Sequence, residues 1–139
     1  MSHTITIRKV LPASCEEVFD AWLDAEGMQE WMQPGPVTHC KVALEPRVGG
    51  QLQIVMGTPD AEYVSTGEFR VLERPTKLMF TWISSRWDMQ ETLVTLELKP
   101  HGNDCELILT HERFPSDLLV SGVQNGWGHI LEKLDTYLV

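Results

Sequence analysis

VTLELKPHGNDCELILTH, residues 94–111, is the stretch on which the fold turns. Val94, Leu96 and Leu98 alternate with Thr95, Glu97 and Lys99. Further on, Leu107, Leu109 and His111 alternate with Glu106 and Thr110. Between the two runs lies Pro100-His101-Gly102-Asn103-Asp104, a cluster of turn residues. Apolar positions at period two on either side of such a break predict two strands of a hairpin, each with one face on a core. The pattern extends backward. Leu52, Ile54 and Met56 alternate with Gln51 and Gln53, and Leu78, Phe80 and Trp82 alternate with Lys77, Met79 and Thr81. The breaks are Arg47-Val48-Gly49-Gly50, Gly57-Thr58-Pro59-Asp60 and Arg74-Pro75-Thr76. Strands joined by connections this short form an antiparallel meander with one face toward water.

Outside this region the period changes. Ile5 and Ile7 alternate with Thr4, Thr6 and Arg8, so residues 3–11 read as a further strand, closed by Pro12. Ser14-Cys15-Glu16-Glu17 is a capping box, in which Ser14 caps a helix and Glu17 reaches back to it. Val18, Ala21, Trp22 and Ala25 share one side of that helix, and a second short helical piece carries Met28, Trp31 and Met32. Gln33-Pro34-Gly35-Pro36 forbids helix. After Pro115, Ser116 can cap a long helix whose stripe is Val120, Val123, Trp127, Ile130, Leu131, Leu134 and Leu138. Gly122, Gly126 and Gly128 are costly inside it. They imply a late start, a close approach to the sheet or space kept beside Trp127. The predicted class is therefore α+β. A curved antiparallel sheet of six or seven strands wraps the terminal helix, with two short helices after the first strand.

The 139 residues are a length for one domain, spanning 1–139. Eleven basic residues against twenty acidic ones give a net charge of −9. Such a chain repels phosphate backbones and anionic lipid surfaces, so neither nucleic acid nor membrane is expected as a partner. No apolar run approaches the roughly 18 residues of a membrane span. MSHTITIRKVL does not read as a secretory signal. Cys15, Cys40 and Cys105 are odd in number, far apart and free of any CxxC spacing. They read as reduced, buried thiols of a cytoplasmic protein.

The order of elements resembles the helix-grip fold of START-like (Bet v 1-like, SRPBCC) proteins. More narrowly, it resembles bacterial relatives of the C-terminal domain of the heat-shock protein 90 ATPase activator. The residues that carry the resemblance cover nearly the whole chain. They are Pro12 with Val18 and Trp22, Trp31-Met32-Gln33-Pro34, Arg47-Val48-Gly49-Gly50, and Gly67 with Glu68. Further on come Pro75 before Phe80-Thr81-Trp82, Thr110-His111-Glu112, and Gly126-Trp127. The resemblance implies a cavity between sheet and long helix, often used for apolar small molecules. The family's Trp-Trp-x-Pro-like segment stands here as Trp31-Met32-Gln33-Pro34, so one aromatic is replaced. If that aromatic lines the cavity, its replacement changes what binds.

Signatures of catalysis are missing from the sequence: it holds no GxSxG, GxGxxG, P-loop or HExxH. Of His3, His39, His101, His111 and His129, only His111 shares the inward parity of Leu107 and Leu109. It is the histidine that could act as a general acid or base, set against the plainer reading of a satisfied strand-end histidine. His129, two residues from Trp127, reads as a surface residue. His39 and Cys40 are neighbours on a strand and point to opposite faces, so they do not chelate a metal together. No cofactor is implied. Glu16-Glu17 and Asp24 with Glu26 fit helix starts. Glu45 and Glu68, within strand-like stretches, are the better-placed carboxylates.

The five tryptophans carry more. Trp22, Trp31, Trp82 and Trp127 fall at inward positions, and Trp87 falls in a loop. Aromatic walls with one polar handle each suit an apolar or aromatic ligand. The residues expected around such a cavity are Trp31, Leu52, Ile54, Phe80, Trp82, Val94, Leu96, Leu109, His111, Val123 and Trp127. Trp31 is expected toward the entrance.

Three functions compete. The first is a binder of a small apolar or aromatic molecule. The second is a protein-interaction or co-chaperone-like module. The third is a cyclase- or hydrolase-type enzyme using a cavity His or carboxylate, and the balance leans away from it. An apolar cavity favours the first, and an exposed apolar patch beside Trp31–Pro36 favours the second. A buried ionisable group with a perturbed pKa favours the third.

Overall fold

The alternation of apolar and polar residues is realised as a ladder of strands. The computed structural model describes residues 3–35, 37–84, 91–114 and 120–139. The expectations for Pro36, Trp87 and Ser116 lie outside those residues. Among the described residues the order is β1 (His3–Leu11), α1 (Cys15–Ala21), α2 (Ala25–Trp31), β2 (His39–Leu44) and β3 (Gln51–Gly57), followed by β4 (Glu62–Glu73), β5 (Lys77–Ser84), β6 (Glu91–His101), β7 (Asp104–Phe114) and α3 (Val120–Leu138). The seven strands form one antiparallel sheet in the order β1-β7-β6-β5-β4-β3-β2. In the β6–β7 hairpin Leu96 lies opposite Leu109 and Leu98 opposite Leu107, so the two inward rows coincide. The fold is the helix-grip arrangement, α+β, with the curved sheet around α3.

The short helices are set by local chemistry. Ser14 Oγ accepts the Glu17 N–H at 3.2 Å, and Glu17 Oε1 accepts the Ser14 N–H at 3.4 Å. Asp24 caps α2 by accepting the Gly27 N–H at 3.2 Å. With their ends satisfied, α1 buries Val18 and Phe19, and α2 buries Met28 and Trp31. Those side chains join Leu52, Ile54, Leu78, Phe80, Leu96 and Leu109 of the sheet, and Leu131 and Leu134 of α3, in one apolar cluster. Cys15, Cys40 and Cys105 are free and buried. Cys15 Sγ lies 3.0 Å from Cys105 Sγ, joining the start of α1 to β7. No helix among the described residues is long and apolar enough to cross a membrane.

Candidate functional site

Four polar groups close a chain of hydrogen bonds inside the sheet. An indole N–H can only donate, so Trp127 Nε1–H donates to Nδ1 of His111, at 2.9 Å. The imidazole proton therefore sits on Nε2, which donates to Thr92 Oγ1 at 2.7 Å. The Thr92 hydroxyl in turn donates to the carbonyl oxygen of Trp82 at 2.6 Å. His111 and Thr92 are wholly buried. Burial pushes the His111 pKa down to about 3. The ring is therefore neutral, with both nitrogens engaged. A proton added at Nδ1 would face the indole N–H, a second donor.

Above this chain lies a pocket of about 430 Å³ between the concave face of the sheet and the first half of α3. The sheet contributes Met56 from β3, Tyr63 and Ser65 from β4, Trp82 and Ser84 from β5, and His111 from β7. The helix contributes Gly122, Val123, Gly126, Trp127 and Ile130. The connection between α2 and β2 supplies Pro34, Gly35 and Val37 at the rim. There the Gly35 N–H donates to His129 Nδ1 at 3.2 Å. His129 is exposed, in keeping with a surface residue, yet it also borders the rim. Trp82 and Trp127 meet edge to face, with ring centroids 5.4 Å apart.

Of the residues selected from sequence, Trp82, His111, Val123 and Trp127 stand on this pocket's wall. Leu52, Ile54, Phe80, Val94, Leu96 and Leu109 point to the same side of the sheet, but are packed into the apolar cluster. Trp31 is wholly buried, edge to face with Trp22 at 4.8 Å, and is not at the entrance. The rim comes instead from residues three to six positions further along, because α2 packs on β2 and α3 and turns Trp31 into the core. Met32, in the place of the family's second aromatic, is also wholly buried and off the pocket wall. That replacement alters core packing rather than the lining.

Sequence reasoning missed Met56, Ser65, Ser84, Gly122, Gly126 and Ile130 as lining residues. A signal was present. Ser65 and Ser84 hold inward positions on strands whose inward residues include Phe69, Phe80 and Trp82, and both serines are buried. The glycines answer to space. A Cβ at Gly122 would meet nothing within 4 Å, and one at Gly126 would only touch Pro34 Cβ at 3.7 Å. The helix begins at Val120, before all three glycines, so a late start does not explain them.

Other candidates sit elsewhere. Glu45 is exposed and accepts from the Gln51 N–H and from Arg47, which lower its pKa. Glu68 pairs with Arg70 at 2.9 Å on the surface. Among the described residues no three His, Cys, Asp or Glu side chains gather as a metal would require. The large exposed apolar residues Val10, Val48, Tyr137 and Val139 include one on β1 and one in the turn after β2, at opposite edges of the sheet. A wider groove of about 670 Å³ runs along the outside of α3, with Glu30, Glu132 and Lys133 in its walls. It is open and charged, unlike the inner pocket.

A curved seven-stranded sheet gripping a long helix, with a pocket beneath that helix, places the molecule in the helix-grip class. Residues 12–139 match the family model described as "Activator of Hsp90 ATPase homolog 1-like protein", and the chain belongs to that family. Among solved structures it is similar to protein CV1439 from Chromobacterium violaceum, with 24% identity, 97% of this chain and 96% of that one covered, and a TM-score of 0.89. It is also similar to Mll3558 from Rhizobium loti, with 23% identity, coverage of 99% and 98%, and a TM-score of 0.82. CalU16 from Micromonospora echinospora shares 22% identity over 99% of this chain and 76% of that one, with a TM-score of 0.75. At these identities the likeness is one of fold. No curated protein matches the chain.

Proposed function

We propose that this protein is a cytoplasmic START-like binder of a small apolar or aromatic molecule, without catalytic machinery of its own. The observation that carries the reading is the pocket of about 430 Å³, walled by Trp82 and Trp127 and kept open by Gly122 and Gly126. Its volume falls in the ordinary range for small-molecule sites. Each glycine inside α3 costs about 1 kcal/mol relative to alanine. A sequence under selection for stability alone would fill those positions. His111 supports binding over catalysis, since its ring is neutral and both nitrogens are engaged. The net charge of −9 argues against nucleic acid or an anionic membrane as the partner.

The test is titration with flat aromatic compounds, following tryptophan emission and melting temperature. A ligand that binds only the native state raises the melting temperature with its concentration. Emission that changes on binding, together with a rising melting temperature, is the expected result. No response to any such compound would overturn the reading and move the interaction module to first place.

A further inference from the structure

We infer that the pocket selects an uncharged amphipathic ligand, an aromatic ring system bearing a hydroxyl or carbonyl oxygen directed at Ser65 and Ser84. This rests on the small-molecule reading above and adds the ligand's chemistry. The β4–β5 ladder carries it. Phe69 lies opposite Phe80 on the inner face, and further along the same two strands Ser65 lies opposite Ser84. Directly paired residues have Cβ atoms about 5 Å apart, so the serines form one hydroxyl patch. Both are buried and both line the pocket. A serine hydroxyl both donates and accepts, so Ser65 can meet a ligand oxygen of either kind, with the Ser84 hydroxyl beside it. On the facing helix Trp127 and Ile130 are aromatic and aliphatic, and Trp82 stands beside Ser84 on the sheet wall. A ligand here meets the hydroxyls beside one indole ring and beneath another.

The described lining also disfavours charge. Among the described residues no Asp, Glu, Lys or Arg side chain lines the pocket. His111 offers no countercharge, because protonation at Nδ1 would oppose the Trp127 N–H. At the rim the exposed His129 ring is occupied with the Gly35 N–H. A carboxylate entering this pocket would lose its water and gain no cation from the described lining, an unfavourable exchange. The surrounding charge of −9 repels it further.

A matched series tests this: 2-naphthol, naphthalene and 2-naphthoate, of nearly equal size, titrated by calorimetry into the full chain at neutral pH. The expected order is 2-naphthol tightest, naphthalene weaker by about five- to tenfold, and 2-naphthoate weaker than 2-naphthol by more than about tenfold. Ser65→Ala should bring 2-naphthol to the affinity of naphthalene, while Ser65→Thr, which keeps the hydroxyl, should preserve the preference. If 2-naphthoate binds as tightly as 2-naphthol, or Ser65→Ala leaves the preference intact, the polarity assignment is overturned and the pocket remains a binding site. If none of the three binds, the small-molecule reading falls, and this inference with it.

Discussion

His111 is a base that burial holds neutral, and that has a pH consequence. Its folded pKa, about 3, lies below the ordinary 6.5. A depressed value contributes stability that is present above the unfolded pKa and lost as pH falls. Between about pH 6.5 and pH 3 unfolding takes up one extra proton, so this residue contributes a loss of about 1.4 kcal/mol per pH unit. Denaturant melts of wild type and His111→Gln should therefore converge as pH drops through that window. A constant difference between them would contradict a neutral buried ring. Trp127→Phe keeps an aromatic ring but removes the donor to Nδ1. It should cost about 1–3 kcal/mol at neutral pH and make the acid dependence shallower. The thiols follow a similar logic. Burial raises the pKa of Cys40 to about 11 and of Cys105 to about 12. Alkylation of these two should be slow in the native protein, because the thiolate is the nucleophile. All three cysteines should react after denaturation without reductant. A single free thiol, the number left by a Cys15–Cys105 disulfide, would contradict the reduced state.

At the scale of elements, α3 sets helix stability against pocket volume. Gly122→Ala should stabilise the protein by up to about 1 kcal/mol, since the new methyl group meets open space. Gly122→Leu should keep the fold and reduce ligand affinity, because its side chain extends into the pocket. Unchanged binding in a folded Gly122→Leu variant would show that this face of α3 does not border the ligand. The same elements show what sequence could and could not convey. β6 and β7 were legible because Leu96, Leu98, Leu107 and Leu109 alternate cleanly and all face one core. The α1 cap was legible because Ser14 and Glu17 need only each other and the local backbone. β4 was harder to read. Its inward positions include Ser65 and Gly67, and its pairing with β5 shifts between Phe69 and Val71. Parity pointed to the inner face but could not separate core from pocket. Large apolar residues at inward positions pack together, and the pocket opens where small and polar residues take their place. A ligand site breaks the local rules that a core obeys, and only the assembled strands bring Ser65 and Ser84 together opposite α3.

At the scale of the whole molecule, the net charge of −9 and a described pocket lining without Asp, Glu, Lys or Arg point the same way, toward a neutral ligand and away from polyanions. At physiological salt the protein should not retard DNA or RNA in a gel. A salt-sensitive shift at micromolar protein would overturn the charge argument. The central claim is that a small molecule occupies the space between α3 and the sheet. Its most direct test is a proton–nitrogen correlation spectrum of the tryptophan indole N–H groups, recorded during titration with 2-naphthol. Trp82 and Trp127 stand on the pocket wall, while Trp22 and Trp31 are buried behind it. The account predicts that the Trp127 and Trp82 indole signals move and saturate with the ligand, with smaller changes at Trp22 and Trp31. Indole signals that stay fixed while backbone amides around Glu132 and Tyr137 shift would place binding in the outer groove and contradict the account.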